Sequence, residues 1–577
     1  MKGQGRRHLL YAYLVVAIFV GCSGGGGDSG NANSGSSTGS SSGSGTGSGS
    51  TSGSGTSSST GSGSTSSGSG SVASVDVATY HNDIARTGQQ LFETTLTPAN
   101  VNSATFGKVG FDSVDGKVDA EPLYLSKVTI AGVVHNVLYV ATENASVYAF
   151  DADSGAQLWK VSTLGSGETT SDNRGCTQIS PQIGITSTPV IDRTRGPNGA
   201  IYVVGMSKDA SGGYHQRIHA LDITTGAELF GGPTEVSASY PGSGPNSSGG
   251  YVVFNPAQYA ERQSLLLLNG TIYTGWTSHC DTEPYNGWVI AYSADTLLQT
   301  SVLNLTPNGT EGSIWMSGAG MASDGQSIYF LDANGTFDTT LNANGYPAQS
   351  DYGNSFMKLG TTNGLTVSDY FGMSNTAAES QADEDLGSGG ALVLPDLTDS
   401  SGTVHHLAIG AGKDSIIYVV NRDSMGKFSA SANNIYQQIS GQLTGSEFGM
   451  PAYFNNTVYF GSIGDSIKAF SVAGAQVSTT PLSHTPTSFG SPGSTPGVSA
   501  NGTANGILWA VENGNIAVLH AYSAANLATE LYNTNQAANA RDQFGQGNKF
   551  ITPMIANGKV YVGTTNGVAV FGLLNGQ

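Results

Sequence analysis

Charge is scarce in this chain of 577 residues: 11% are Asp, Glu, Lys or Arg, and 41 acids against 22 bases leave a formal charge of −19. Past the first few residues there is no cluster of Lys and Arg, which makes nucleic acid and anionic membrane surfaces poor partners on electrostatic grounds. A neutral polar ligand, such as a glycan or an alcohol, would meet no such repulsion. Cysteine occurs three times, and no Cys-x-x-Cys-His is present, so the chain attaches no c-type haem. A nucleophile elbow, a phosphate-binding loop and a zinc-protease motif are all missing. The apolar run at residues 9–20 is too short to cross a bilayer, where a spanning helix needs about 20 residues.

That run reads as a processing signal. Lys2, Arg6 and Arg7 precede it and Val20-Gly21-Cys22 ends it. The ending resembles a bacterial lipobox, in which residues 1–21 are cut before a Cys that carries lipid, making Cys22 the expected lipidation site. Arg6-Arg7 with Leu9-Leu10 also resembles a twin-arginine export signal, and an ordinary cleaved signal is the third reading. Residues 22–72 are nearly all Gly, Ser and Thr and cannot offset the entropy of ordering. They form a tether of roughly 40 Å root-mean-square span. Ser23 after the Cys fits sorting to the outer membrane. The expectation is an exported protein, lipid-anchored there on the periplasmic or outer side, with its folded region at residues 73–577.

Within the folded region a single phrase recurs: a Pro or small-residue start, an apolar strand, a turn, and further strands closing on aromatics. Its best copy is Glu121-Pro122-Leu123-Tyr124, Val137-Leu138-Tyr139-Val140, Ser146-Val147-Tyr148-Ala149-Phe150-Asp151 and Leu158-Trp159. Further copies start near Thr188-Pro189, Leu265-Leu266, Ser317-Gly318, Ser388-Gly389, Met450-Pro451, Thr495-Pro496 and Thr552-Pro553. Short strands bounded by Asn-Gly and Asp-Gly turns, in units of roughly 50 to 70 residues, predict an all-β propeller. The count is eight blades, or seven if the divergent fourth and fifth copies are one blade with insertions. The last copy stops after three strands, so Phe106-Gly107-Lys108-Val109-Gly110-Phe111 is expected to pair with it and close the ring. With Cys22 assigned to lipid, Cys176 and Cys280 form an even pair in an oxidising compartment, and a disulfide between them is expected; two buried thiols are the alternative.

Ala149-Phe150-Asp151 with Ser154-Gly155 and Leu158-Trp159, and His219-Ala220-Leu221-Asp222 with Thr225-Gly226, resemble the repeat of pyrroloquinoline-quinone (PQQ) propellers, the quinoprotein alcohol dehydrogenase-like superfamily. The resemblance spans residues 76–577. It implies a structural Gly turn and an inter-blade Trp, and it covers catalytic and scaffold members alike. Catalytic members hold PQQ beside calcium with carboxylate and Asn ligands, an Asp base and often a disulfide between adjacent cysteines; this chain has no adjacent cysteines, and no motif maps the base or the ligands.

Ligands of ring propellers sit where strand starts converge on the axis, so Glu121, Thr188, Ser317, Ser388 and Thr552, with the nearby Trp315, are the candidate ligand-binding residues; the alternative is that they satisfy backbone groups around a channel. Asp383-Glu384-Asp385 is the candidate metal site. Asp151-Ala152-Asp153-Ser154-Gly155 and Asp332-Ala333-Asn334-Gly335 resemble the opening of a calcium loop without its closing Glu, and tight turns explain both. His81 and Asp83 read as an acid–base pair or as members of a segment capping the ring. The expected function is a membrane-tethered ligand-binding or protein-interaction scaffold for a small polar ligand, a glycan or an envelope protein. The alternative is a PQQ-dependent dehydrogenase oxidising an alcohol or sugar, with PQQ and calcium as cofactors.

Overall fold

The computed structural model describes residues 75–574, so Cys22, the signal and the tether lie outside the described residues. Strands make ten sheets. A three-stranded sheet within 239–253 and the hairpin of Leu397–Thr398 with Val404–His405 are appendages. The others are antiparallel meanders of four principal strands that follow one another along the chain. They occupy 123–162, 190–235, 266–304, 322–372, 391–439, 452–489, 497–533, and 554–573 joined by 106–113. The fourth and fifth copies form separate sheets. In the last sheet, Phe106–Ser113 pairs antiparallel with Gly567–Leu573 and supplies the missing strand.

Apolar side chains of neighbouring sheets share cores all the way round. One core joins the eighth, first and second sheets through Val568, Tyr561, Tyr124, Leu138 and Ile201. Others join second to third, third through sixth, sixth to seventh, and seventh to eighth. A ring is the arrangement that lets every sheet bury both faces. Its recurring joint is an aromatic in the second strand: Tyr139, Tyr202, Tyr273, Tyr329, Tyr459, Trp509 and Tyr561 occupy matching positions, while the fifth sheet has Gly410 there and carries Tyr418 in its third strand. The Tyr139 hydroxyl donates to Ile223 O of the next sheet (3.0 Å), Tyr202 to Ala294 O (2.6 Å) and Tyr459 to Ala524 O (2.9 Å). Trp159 Nε1 donates to the same Ile223 carbonyl at 3.1 Å. Gly226, at φ +71°, lets the Thr225-Gly226 turn pass over that indole, where a Cβ would stand 3.0 Å from the ring.

The segment ahead of the first sheet is the ring's second device. Between residues 77 and 93 it bonds to every sheet. Val77 pairs with Tyr124, Ala78 O accepts from Ile191 N, Ile84 O from Ser323 N, and Ala85 O from Val393 N. Thr87 O accepts from Tyr453 N and Gly88 O from Val498 N. Arg86 donates to Leu265 O of the third sheet, and the Glu93 carboxylate accepts from Gly558 N of the eighth. Most of these partners lie in the first strand of their sheet, so the segment runs through the axis. Arg86 is fully buried within it, its guanidinium donating to Met321 O (2.9 Å), Thr79 Oγ1 (2.7 Å), Tyr80 O (2.8 Å) and Leu265 O (3.1 Å).

Candidate functional site

In each meander the first strand begins, and the second ends, at the same edge of the ring, so the loops there face one another. Between them lies a cavity of about 380 Å³. Cys176, in the connection between the first and second sheets, and Cys280, in a loop of the third, are joined as a disulfide that lines it. Opposed loops bring in three aromatic rings: Trp315 meets Phe448 and Phe550, each with centroids 5.9 Å apart and edge to face. A wider depression of about 640 Å³ near Gln182 and Lys549 has no aromatic wall.

Charge in the cavity is arranged in two places. The Lys413 ammonium stands 2.6 Å from Asp383 Oδ1 and 2.6 Å from Asp385 Oδ2, and 5.9 Å from the centre of the Trp315 ring. Asp385 is 3% exposed and its Oδ1 has no partner. Burial pushes this carboxyl up to about 6, with Lys413 pulling the other way. Arg262 is the second place, its Cζ 5.3 Å from the centre of the Phe550 ring. At the rim Asp281 accepts from Tyr285 OH, and His279 bonds Tyr259 O while burial lowers it to about 4. Left-handed backbone recurs at the rim, at Cys280 (φ 51°), Asp281 (49°), Asp383 (60°) and Phe550 (65°), with Met316 (43°) and Ser317 (52°) directly after Trp315. Non-glycine residues hold such conformations only where their surroundings over-determine them, a recurrent property of ligand sites.

Of the sequence candidates, Trp315, Asp383, Asp385, Cys176 and Cys280 meet at this cavity. Glu384 is exposed and does not belong to its wall. The strand-start residues tie sheets to one another and to the axial segment. Thr188 Oγ1 accepts from Glu121 N (2.8 Å), Ser317 Oγ donates to Ser388 O (2.7 Å), Ser388 Oγ donates to Glu447 O (2.8 Å), and Thr552 Oγ1 donates to Tyr80 OH (3.4 Å). The Glu121 carboxylate accepts from His81 N, and burial raises it to about 8. His81 and Asp83 belong to the axial segment: the His81 ring nitrogens face Arg86 O and Pro496 O, and Asp83 accepts from Thr87.

The two loops resembling calcium loops have different explanations. Asp151 Oδ1 accepts from Asp153 N, Ser154 N and Ser154 Oγ, a side-chain-capped turn. Asp332 is no turn residue: it is fully buried, neither oxygen has a partner, and burial raises it well above the carboxylate range. Sequence reasoning missed Arg262, Lys413, Phe448 and Phe550. The available signal was scarcity: with 22 bases in the chain, one next to an apolar strand start, as Arg262 is before Leu265-Leu266-Leu267-Leu268, is informative.

No protein-family model matches this chain, and no curated protein matches it in sequence. Solved structures do match in shape. The quinohemoprotein alcohol dehydrogenase from Comamonas testosteroni has a TM-score of 0.54 at 14% identity, over 87% of this chain and 81% of that one. A quinohemoprotein alcohol dehydrogenase from Pseudomonas putida HK5 gives 0.57 at 14% identity, over 86% and 80%. A europium-containing methanol dehydrogenase gives 0.52 at 12% identity, over 85% and 90%. The chain therefore has the propeller fold of the quinoprotein alcohol dehydrogenases, at 12 to 14% sequence identity.

Proposed function

We propose that this protein is a ligand-binding propeller whose cavity takes a sugar unit of a glycan. The observation that carries this reading is the pairing of Trp315 and its aromatic neighbours with buried Asp385, whose Oδ1 lacks a protein partner. An aromatic face packs against the C–H side of a sugar ring, and a desolvated carboxylate oxygen accepts from a hydroxyl. Tethering through a lipid on Cys22 would hold the ring outside the cytoplasm, and the Cys176–Cys280 disulfide is consistent with an oxidising compartment.

A dehydrogenase acting on an alcohol or sugar is the second reading. It is favoured by the names of the fold neighbours and by Asp385, which burial holds at about 6, a value suited to moving a hydroxyl proton. The residues present offer little to the calcium of a quinone site. Among the described residues no group of three or more His, Cys, Asp and Glu side chains is set to hold a metal. The Lys413 ammonium lies between the two carboxylates that would otherwise draw a cation.

Screening the purified protein on a glycan array, alongside PQQ and calcium titration with dye reduction on an alcohol panel, separates the readings. Saturable glycan binding without dye reduction is expected; a blank array with quinone-dependent reduction would reverse the order of the two.

A further inference from the structure

Arg262 narrows the chemistry of the ligand. It is 7% exposed, it lines the cavity, and its guanidinium makes no hydrogen bond or ion pair with any described residue. Its side-chain partner is the face of Phe550. The other deeply buried arginines are matched: Arg86 donates to four oxygens, and Arg422 pairs with Asp324 at 2.6 Å and donates to Leu407 O at 3.3 Å. A glycine stands against each of Arg86 and Arg262. A Cβ at Gly320 would stand 2.7 Å from Arg86 Nε, and one at Gly318 would stand 3.5 Å from Arg262 Nε.

A guanidinium that faces a cavity with five N–H donors and no protein acceptor is answered there by water or by a ligand. Lys413 needs no such answer, because Asp383 and Asp385 both contact it. Among the described residues the cavity wall thus holds an unmatched cation, Arg262, and a buried unmatched carboxylate oxygen, Asp385 Oδ1, beside the unmatched polar atoms Asn334 Oδ1 and Ser278 Oγ. A neutral sugar would satisfy the acceptor and leave the cation. A simple carboxylate would satisfy the cation and leave the acceptor.

We infer that the ligand is an acidic sugar, a uronic acid unit whose carboxylate docks on the Arg262 fork while a ring hydroxyl donates to Asp385. This rests on the sugar-binding reading and adds the acid group to it. The planar guanidinium matches a carboxylate with two parallel N–H···O bonds, and the fit is strongest where water is excluded. The negative formal charge of the protein does not oppose this, since long-range repulsion is screened beyond about 8 Å at physiological salt, whereas the Arg262 contact is direct.

The test is titration calorimetry of the full chain with an oligogalacturonate and with the same oligosaccharide after reduction of its carboxyl groups. The acid should bind about tenfold or more tightly than its neutral counterpart. That preference should fall to about one in Arg262→Gln and survive to some degree in Arg262→Lys, which keeps charge but not the fork. Thermal melting of both variants checks that they remain folded. Equal affinity of the native protein for acid and neutral sugars would overturn the acid-sugar inference and leave the sugar-binding reading standing. Retention of the preference by Arg262→Gln would overturn the inference in the same way. No binding of either oligosaccharide by the native protein would overturn both.

Discussion

Arg86 and Arg262 are both withdrawn from solvent, and their surroundings separate structure from function. Arg86 is held by four oxygens from the axial segment and the third and fourth sheets, and burial lowers it to about 10, which leaves it charged at neutral pH. Replacing it with Met would leave buried carbonyls of three chain segments unmatched, a loss of about 3 kcal/mol or more. Urea unfolding should show that loss; a change under about 0.5 kcal/mol, the size of a neutral surface substitution, would contradict the role given to Arg86. The sequence marks the phrase from Tyr80 to Gly88 as dense and polar, and it allows a capping role. It does not show which arginine is satisfied and which is not. Arg86 meets its acceptors 179 and 235 positions away, a property of the closed ring and of no local pattern.

At the scale of elements, the ring is closed twice, by Phe106–Ser113 in the eighth sheet and by the axial segment. The first closure is legible because the last repeat is one strand short and a suitable strand lies upstream. The second is hidden, since most of its contacts are made by backbone carbonyls that any residue carries. The aromatic of the second strand is legible in the repeats: a Tyr or Trp stands at the same place in every sheet but the fifth, and the hydroxyls of Tyr139, Tyr202 and Tyr459 each bond a carbonyl of the next sheet. The disulfide clamps two loops 104 positions apart at the cavity. In the chain-entropy account, closing a loop of this length contributes up to about 4 to 5 kcal/mol. A Cys176→Ser, Cys280→Ser double variant should unfold at correspondingly lower urea concentration, and reductant should shift the native protein in the same direction; coincident curves would show that the bond constrains nothing.

Across the whole molecule, carboxyls are buried between sheets without matching cations. Burial raises Glu121 and Glu447 to about 8, from ordinary values of 4.5, and raises Glu261 and Asp332 well above the normal range. A group raised on folding favours the folded state in its protonated form. Its contribution is full below the unfolded value and is lost as pH climbs through the folded one. The melting temperature should therefore be higher near about pH 5 than near about pH 8.5, with the fall spread across that interval. Burial also pulls Asp151 up, but His135 and the Ser154 turn together outweigh it and lower that carboxyl to about 2. Its contribution is lost only in stronger acid, so it does not mask the trend. A melting temperature flat over the interval would mean that the buried carboxyls keep their solution behaviour.

The central claim is that a ligand enters the cavity beneath the Cys176–Cys280 bridge. Hydrogen–deuterium exchange of the full chain, with and without a saturating glycan from the array, tests it most directly. Protection should concentrate in the loops carrying Cys176, Cys280, Trp315, Asp385 and Lys413, with the outer strands of the sheets unchanged. Protection confined to the outer strands, or to the wider depression near Gln182 and Lys549, would contradict it.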